Sequence, residues 1–395
     1  MANNNNKDKC NVPHLRFPEF TNEWEKCPLG LIADITKGNG ISKEQLSAQG
    51  IPCILYGELY TKYKSEIITE IYSKTALNPS VLVKSQANDV IIPCSGETAI
   101  DISTARCVPY NNILLGGDLN IIRLKSQDGG FFAYQLNGVR KHDIARIAQG
   151  VSVVHLYGEN LKRIKVCYPS IEEQRKITSL LSLIDERIAT QNKIIEDLKK
   201  LKCAIIESLY TDIKGKEYSY RQLFEIVNER NKQLEHSNIL SASQEKGMVN
   251  REDLNLNIQF EHSNVNTYKI VKKGDYVIHL RSFQGGFAFS DKLGICSPAY
   301  TILRPSDILE YGYLSYYFTS RRFIKSLIIV TYGIRDGRSI NVGEWLDMKV
   351  TIPSKERQRH VVEIIRSIER EVENGEAYVS CLSNQKQYLL RQMFI

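Results

Sequence analysis

Apolar residues in one long stretch of the chain follow the spacing of a paired helix. Residues 171–210 contain no glycine or proline, and their apolar positions recur alternately four and three residues apart. These positions are Ile177, Leu181, Ile184, Ile188, Ile195, Leu198, Ile205 and Leu209. Such spacing keeps one face of a helix against a partner helix. Ser170 and Glu173 match a capping box at the start of this helix. At 1.5 Å per residue the helix would be about 60 Å long, so it needs a second long helix to cover its apolar face.

The C-terminal stretch repeats this pattern at a distance of 184 residues. Pro353-Ser354 falls on Pro169-Ser170, and Gln358-Arg359 falls on Gln174-Arg175. The apolar positions recur in the same register, at Val361, Ile365, Ile368, Val372, Val379, Leu382, Leu389 and Met393. Two interruptions also coincide, because Gln191 and Lys202 correspond to Gly375 and Lys386. The shared start and the shared interruptions indicate an internal repeat, which the helical period alone would not.

Each long helix follows a segment with short strand patterns separated by Gly, Pro and Asn. Strands are predicted at 53–56, 90–93, 113–115 and 119–124, and a helix at 131–139. Corresponding patterns occur at 222–226, 274–278 and 299–303, with a helical pattern at 311–318. The predicted fold class is α+β, with two mixed α/β domains separated by two long helices that form an antiparallel coiled coil with pseudo-twofold symmetry. The predicted division is a disordered tail 1–12, a domain 13–168, a helix 169–212, a domain 213–352 and a helix 353–395.

Composition narrows the class of protein. A chain of 395 residues is long enough for two or three domains. Its nine cysteines are scattered without a C-x-x-C pair, which favours a reduced, cytoplasmic protein over a zinc or disulfide protein. No apolar run is long enough to span a membrane, and the polar start does not resemble a signal peptide. The net charge of +7 lies mainly outside the two helices, which suits polyanion-binding domains but is also ordinary for soluble proteins.

Two short motifs accompany this order of segments. The chain opens with Leu15-Arg16-Phe17-Pro18, followed by Trp24, and each long helix begins with Pro-Ser-x-x-x-Gln-Arg, at 169–175 and 353–359. In this combination, residues 13–395 resemble the specificity subunit of type I restriction-modification enzymes. The resemblance implies that each globular domain is a target recognition domain for one half of a split double-stranded DNA sequence. It also implies that the helices form a spacer on which methyltransferase subunits, expected to be two, are docked.

The same resemblance implies a non-catalytic subunit without a cofactor of its own. S-adenosylmethionine, ATP and Mg²⁺ would belong to the methyltransferase subunits and to the motor-nuclease (restriction) subunits of the complex. The sequence agrees, since it lacks a phosphate-binding G-x-x-x-x-G-K-[ST] loop, an H-E-x-x-H zinc motif and the Asn/Asp-Pro-Pro-aromatic motif of base methylation. Two alternatives stay open at this point: a free-standing DNA-binding regulator or architectural protein with the same coiled coil, and an enzyme with an unfamiliar site.

Polar and basic loop residues are the candidates for DNA contact. Arg335 and Arg338 alternate with glycines in 332–341, which would let the backbone approach a phosphate, and Arg281 and Gln284 could bind guanine and adenine edges. Each of these loops could instead be an ordinary solvated surface. The candidates in the first domain are Lys37, Lys43, Ser95, Thr98, Arg106, Ser152 and His155. Those in the second domain are Lys246, Arg281, Ser282, Gln284, Arg335, Arg338 and Asn341.

Overall fold

A computed structural model describes residues 11–211, 213–243, 246–253, 262–279, 286–332 and 339–395. Contacts within the chain divide it into two units. Unit 1 comprises Met1–Asn192 and Ala377–Ile395, and unit 2 comprises Lys193–Glu376. Each long helix therefore contributes one stretch to each unit. The domain borders expected from the sequence divide the chain differently, between globule and helix, and stay a prediction.

Unit 1 contains a mixed α/β globule, the first part of one long helix and the last part of the other. Its strands are β1 (Glu25–Pro28), β2 (Ala33–Lys37), β3 (Leu46–Ile54), β4 (Ser73–Thr75), β5 (Asp89–Pro93), β6 (Ser95–Gly96), β7 (Arg106–Val108), β8 (Leu114–Leu115), β9 (Leu119–Leu124), β10 (Val154–His155) and β11 (Lys165–Tyr168). Its helices are α1 (Leu29–Ile32), α2 (Glu58–Thr61), α3 (Ala99–Ile102), α4 (Gly129–Asn137), α5 (Lys141–Ile147), α6 (Gly158–Leu161) and the long α7 (Ile171–Leu209).

A four-stranded antiparallel sheet in the order β2-β9-β5-β7 forms the centre of unit 1. Its strands are short and rich in Val, Ile and Leu because both faces are covered. One face packs against α4 and the long helices, and the other packs against a second sheet, β4-β3-β8. The two ends of the sheet are connected to different parts of the fold. Strands β2 and β5 begin at what we call the helix-side end and finish at the loop-bearing end.

Unit 2 contains the second globule and the first part of the second long helix. Its strands are β12 (Lys216–Ser219), β13 (Phe224–Val227), β14 (Leu240–Ser243), β15 (Gly247–Asn250), β16 (Lys269–Val271), β17 (Tyr276–Ile278), β18 (Phe287–Phe289), β19 (Gly294–Cys296), β20 (Thr301–Pro305), β21 (Thr331–Tyr332), β22 (Ser339–Ile340) and β23 (Lys349–Ile352). Its helices are α8 (Tyr220–Leu223), α9 (Tyr313–Tyr317), α10 (Arg321–Ser326), α11 (Val342–Asp347) and the long α12 (Lys355–Gln392).

The sheet of unit 2 repeats that of unit 1 strand for strand. Its order is β13-β20-β17-β18, all antiparallel, and the first and last strands of the globule pair as β12-β23, as β1-β11 do in unit 1. An ion pair crosses the helix-side end of both sheets, Arg123 with Asp89 in unit 1 and Arg304 with Asp275 in unit 2. The internal repeat predicted from the sequence is therefore present in the fold of the two units.

The two long helices form as predicted, and most of their apolar positions are buried. In unit 1, Ile177, Leu181 and Ile184 of α7 share a core with Leu382 and Leu389 of α12. The start of α7 thus packs beside the end of α12, which is an antiparallel arrangement. In unit 2 the opposite ends meet, and Ile206 of α7 lies in one core with Val361, Val362 and Ile365 of α12. Apolar burial on one face stabilises helices whose other faces are charged.

The glutamine of each start motif joins its helix to the globule. Gln174 is buried, donates through Nε2 to the Pro169 carbonyl (2.9 Å) and accepts through Oε1 from the Asp128 amide (2.9 Å). Gln358 repeats both contacts, with the Pro353 carbonyl (3.0 Å) and the Glu310 amide (2.8 Å). An amide side chain can donate and accept at once, so it satisfies two buried backbone groups. This explains why the motif requires glutamine in both copies.

Glu173 has a different partner from the one the sequence suggests. Its buried carboxylate accepts two hydrogen bonds from the guanidinium of Arg16, both 2.7 Å long. Ser170 instead contacts the neighbouring Glu172, whose pKa is lowered by a hydrogen bond from its own backbone amide and by one from the Ser170 side chain. The opening motif also supplies Trp24, whose ring packs edge-on against Phe131 at 5.6 Å. The opening segment is thereby fixed to the first long helix.

The lysines that interrupt the apolar face lie in two corresponding polar clusters. In unit 1, Lys386 Nζ is 2.5 Å from Glu66 and 2.5 Å from Asp185, and the Tyr134 hydroxyl donates to Asp185 (2.8 Å). Burial, together with Glu66, raises the pKa of Asp185, and Lys386 opposes that rise. We call these four residues the Lys386 cluster. It connects both long helices to α4 and to the loop after α2.

Unit 2 contains the counterpart, 184 residues apart at the two helix positions. Lys202 Nζ lies 3.2 Å from Glu369, and the Tyr316 hydroxyl donates to the same carboxylate (2.7 Å). We call these three residues the Lys202 cluster. The structure places no second acid against Lys202 within the described part of unit 2. Lys202 and Glu369 are 28% and 33% exposed, whereas Lys386 and its two acids are 10–13% exposed. The two clusters are alike in position and differ in solvent access.

Candidate nucleic-acid interface

Two connections meet at the loop-bearing end of the sheet in unit 1. The first is the β5–β7 connection, residues 94–105, and the second is the hairpin formed by residues 149–155. They are joined because β6 pairs with β10, with Val154 opposite Gly96 and His155 opposite Ser95. Gly96 suits this close approach, since an added Cβ would lie 2.5 Å from the side chain of Ile102.

The base of the hairpin is held by backbone hydrogen bonds. The Gln149 amide donates to the His155 carbonyl (2.9 Å), and the His155 amide donates to the Gln149 carbonyl (2.7 Å). Gly150 has φ +125°, a conformation that favours glycine, and an added Cβ would lie 2.1 Å from the Val153 carbonyl oxygen. The hairpin therefore has a defined shape. It projects residues 151–153 into solvent.

Several of the predicted contact residues of unit 1 lie around these two connections. Ser95 and His155 are paired in β6 and β10, Ser152 is exposed at the hairpin tip, and Thr98 caps the start of α3 through the Asp101 amide (3.1 Å). Lys37 ends β2 opposite Asn120, whose side chain donates to the carbonyl of the residue after His155 (2.9 Å). Five of the seven candidates are thus gathered at one end of the sheet.

The other two candidates of unit 1 lie elsewhere. Arg106 is 7% exposed, and its guanidinium donates to the carbonyls of Leu59 (3.0 Å) and Tyr63 (2.8 Å). This is an interior position in which the side chain satisfies backbone groups, so we leave Arg106 out of the interface. Lys43 is exposed and begins a short 3-10 turn capped by Ser42. No described contact joins Lys43 to the hairpin or to the β5–β7 connection.

The chemistry of this end is mixed. Burial raises the pKa of the Cys94 thiol to about 11, so this cysteine is an uncharged structural residue. Burial also raises the pKa of Tyr60, and nearby acidic groups that include Asp101 and Glu97 contribute to the rise. Hydroxyl, imidazole and carboxylate groups can all bind base edges in the major groove, and a lysine can bind phosphate. The arrangement can therefore recognise DNA without a catalytic group.

Two aromatic side chains at this end were missed by sequence reasoning. The ring of Tyr157 stacks on His155, with centroids 6.2 Å apart and planes 28° apart, and it is partly exposed. Tyr60 lies beside Gly96, with its hydroxyl 3.8 Å from where a Cβ of that glycine would be. The spacing of Tyr157 from His155 by two residues is a weak signal of a shared strand face. No local signal connects Tyr60 with residue 96.

The β17–β18 connection of unit 2 leaves its sheet at the same end as the β5–β7 connection of unit 1. The β17–β18 connection begins at His279, whose amide donates to the Gly286 carbonyl (2.6 Å) and whose ring lies 5.2 Å from Tyr300. Strands β21 and β22 form the second hairpin, with Thr331 opposite Ile340. Arg281, Ser282 and Gln284 belong to the first connection and Arg335 and Arg338 to the second, and all five lie outside the described residues.

The remaining two candidates of unit 2 have local structural contacts. Asn341 caps α11, accepting from the amides of Gly343 (3.1 Å) and Glu344 (3.3 Å). Its position directly after β22 keeps it beside the hairpin. Lys246 lies at the turn between β14 and β15, where its amide donates to Ser243 Oγ (3.3 Å). No described contact links that turn to the hairpin.

The described residues contain no group of three or more His, Cys, Asp or Glu side chains placed to hold a metal ion. No helix among them is long and apolar enough to cross a membrane.

Part of the chain matches a known family model, and most of it aligns with a curated protein. Residues 21–200 match the type I restriction modification DNA specificity domain. The specificity subunit of the type I restriction enzyme MjaVIII from Methanocaldococcus jannaschii is 24% identical, over 91% of this chain and 88% of that protein. The specificity subunit of the MjaIX enzyme from the same organism is 34% identical over 77 residues, which cover 19% of this chain and 18% of that protein.

Solved structures agree in fold. The crystal structure of a type I restriction-modification S subunit from M. genitalium matches with a TM-score of 0.61 at 16% identity, covering 97% of this chain and 99% of the other. A chain from a structure of the assembly and conformational transition of a type I system matches with a TM-score of 0.57 at 14% identity, covering 94% and 97%. The comparisons therefore show that residues 21–200 match a type I restriction modification DNA specificity domain, and that the chain shares the fold of a type I restriction-modification S subunit.

Proposed function

We propose that this chain recognises a bipartite DNA target, with one half-site bound at the loop-bearing end of unit 1 and the other at the corresponding end of unit 2. The observation that carries this proposal is the repeated sheet, in which the β5–β7 connection of unit 1 and the β17–β18 connection of unit 2 leave the sheet at the same end. A repeated scaffold with different loops is expected where two copies of one module bind different sequences.

The difference between the two hairpins supports independent half-sites. The unit 1 hairpin, residues 149–155, contains no arginine or lysine, whereas the sequence between β21 and β22 contains Arg335 and Arg338. Two connections with such different chemistry would contact different base edges and different numbers of phosphates. The two halves of the target should therefore differ in sequence.

We further infer that the two long helices dock the methyltransferase subunits, two in number, and that motor-nuclease subunits complete the assembly. S-adenosylmethionine, ATP and Mg²⁺ would be bound by those partners, and the complex would act on DNA in the cytoplasm. The matched specificity domain and the similarity to the MjaVIII specificity subunit support this assignment of roles. The exposed charged faces of both helices are available for such docking.

Methylation mapping of host DNA, with and without this chain, tests the proposal. We expect one split sequence to be methylated only when the chain is present. Exchanging residues 214–345 for the same region of a relative should then change one half of that sequence and leave the other half unchanged. A change in both halves would contradict independent recognition. Methylation that does not depend on the chain would contradict the role itself.

A further inference from the structure

The unit 1 hairpin, residues 149–155, presents two apolar side chains to solvent. Val151 is 96% exposed and Val153 is 53% exposed, although Val154 between them and the sheet is buried. Single exposed apolar residues are common on protein surfaces. Two exposed valines within three residues, on a hairpin of fixed shape at the proposed DNA-binding end, are a more specific arrangement.

The position of these valines is defined by the fold. The hairpin base is closed by two backbone hydrogen bonds between Gln149 and His155, and β10 pairs with β6. Gly150 provides the left-handed φ that the turn requires. The tip is thus carried on a base anchored to the sheet. A side chain held this way loses little further entropy on binding, so its contacts favour one ligand geometry.

The composition of the hairpin indicates what it contacts. It has no lysine or arginine to bind phosphate by charge, and Ser152 can hydrogen-bond. In the major groove of B-DNA the apolar group available for contact is the 5-methyl group of thymine. A Val-Ser-Val tip matches a base-pair edge that combines a methyl group with hydrogen-bonding atoms.

We propose that Val151 and Val153 are specificity-determining residues that contact thymine 5-methyl groups in the half-site bound by unit 1. This inference rests on the proposed function, because it takes the loop-bearing end as the DNA-binding surface. It goes beyond that function by naming the residues and the chemical group recognised. It predicts that the unit 1 half-site contains A·T pairs whose thymine methyl groups contribute to binding.

The test uses the full chain in complex with its methyltransferase subunits, on the target obtained by methylation mapping. Each thymine of the target is replaced singly by deoxyuridine, which removes only the methyl group, and binding is measured by competition. We expect about fourfold weaker binding at one or two positions, which corresponds to one buried methyl group at about 0.8 kcal/mol. All such positions should lie in the half-site that the exchange of residues 214–345 leaves unchanged.

The double variant Val151→Ser with Val153→Ser should bind the thymine duplex more weakly and lose the difference between thymine and deoxyuridine at those positions. Leu31→Ser is the matched control, since Leu31 is 66% exposed but precedes β2 at the helix-side end. The control should retain the full thymine preference. If the valine substitutions and the deoxyuridine substitution have non-additive effects on binding, the valines contact that methyl group. A general loss of stability would weaken binding to the thymine and deoxyuridine duplexes equally.

Several results would overturn the inference. These are thymine preference that persists in the double variant, a unit 1 half-site made only of G·C pairs, or no deoxyuridine effect in that half-site. A double variant that fails to assemble with methyltransferase subunits would instead place the tip at a protein interface, which also overturns it. In all these cases the wild-type complex still binds its target specifically. Loss of sequence preference by the wild-type complex itself would refute the proposed function.

Discussion

Replacing Lys386 with methionine tests whether the polar cluster of unit 1 is a buried charge network. The change removes one ammonium group that lies 2.5 Å from each of two carboxylates, and all three side chains are only 10–13% exposed. Removing one partner of a buried ion pair typically costs about 3–5 kcal/mol, because the remaining charge is left without compensation. Methionine is similar in length, so loss of packing contributes little.

Lys202→Met is the matched control at the equivalent position of the repeat. Lys202 and Glu369 are 28% and 33% exposed, and water can therefore solvate the carboxylate that remains. Partly exposed pairs of this kind contribute about 0–1 kcal/mol. The two variants make the same chemical change in the same helical context. They should nevertheless differ several-fold in their effect on the free energy of unfolding.

The chain offers a separate reporter in each unit. Its two tryptophans are buried, Trp24 in unit 1 and Trp345 in unit 2. Incorporating 5-fluorotryptophan and recording fluorine NMR spectra in urea would follow the unfolding of each unit without further mutation. With a urea m value of about 2 kcal/mol/M, Lys386→Met should lower the Trp24 midpoint by roughly 2 M. Lys202→Met should move the Trp345 midpoint by no more than about 0.5 M.

The pH dependence supplies an independent check. Burial raises the pKa of Asp185, so the folded state holds a proton on this carboxyl more readily than the unfolded state does. The stability contributed by a raised carboxyl pKa is present below the ordinary value of about 3.9 and is lost as pH rises through the folded value. Lys386 opposes the rise in the Asp185 pKa, so its removal makes the loss of stability with rising pH larger. The deficit of Lys386→Met should therefore shrink as pH falls from neutrality. Equal shifts for the two lysine variants, or a deficit that grows in acid, would refute the buried-network interpretation.

Three further predictions concern DNA binding and the helices. Arg335→Ala with Arg338→Ala should weaken DNA binding and lower the magnitude of the slope of log K against log salt by about 2. The control Arg357→Ala with Arg359→Ala removes the same charge at the start of α12 and should leave the slope unchanged. Equal slopes for both double variants would show that Arg335 and Arg338 lie outside the interface. Inserting four residues after Asn192 and four after Glu376, at the unit borders in both long helices, should lengthen each helix by about 6 Å and the gap between half-sites by about two base pairs. An active variant with an unchanged gap would show that the helices do not set the spacing. Gln358→Leu removes the side chain that bonds to the Glu310 amide and the Pro353 carbonyl, and should lower the Trp345 urea midpoint by roughly 1 M. The control Gln385→Leu, at an exposed position further along the same helix, should leave the urea midpoints of both tryptophans unchanged.

Features that repeat in sequence were predictable, because periodicity and repetition are properties of the chain alone. The long helices and the sheet strands at 119–124 and 90–93 lie where the hydrophobic pattern places them. The coincident interruptions at Lys202 and Lys386 were also visible, but only as gaps in an apolar face. The role of Lys386 depends on Glu66 and Asp185, and the first of these is 320 residues from Lys386 in sequence. No local pattern predicts such a partner.

Charge and motif alone were poor guides to surface position. Arg106 is basic and near a loop, which made it a reasonable contact candidate, yet two backbone carbonyls from another part of the chain hold it in the interior. Likewise Glu173 fits a capping box with Ser170, but a bidentate pair with Arg16, 157 residues away, is stronger than a single local hydrogen bond. Non-local pairing decided both cases.

The repeat distinguishes the two ends of each sheet physically. At the helix-side end the same contacts recur in both units: the Arg123–Asp89 and Arg304–Asp275 pairs, and the hydrogen bonds of Gln174 and Gln358. The connections that leave the loop-bearing end of unit 1 differ in sequence from the corresponding stretches of unit 2. Changes there leave the contacts between sheet and helix intact, since none of those contacts involves residues 94–98 or 149–155. The specificity of the proposed DNA-binding end can therefore change without loss of the fold, which is the property that the proposed function requires.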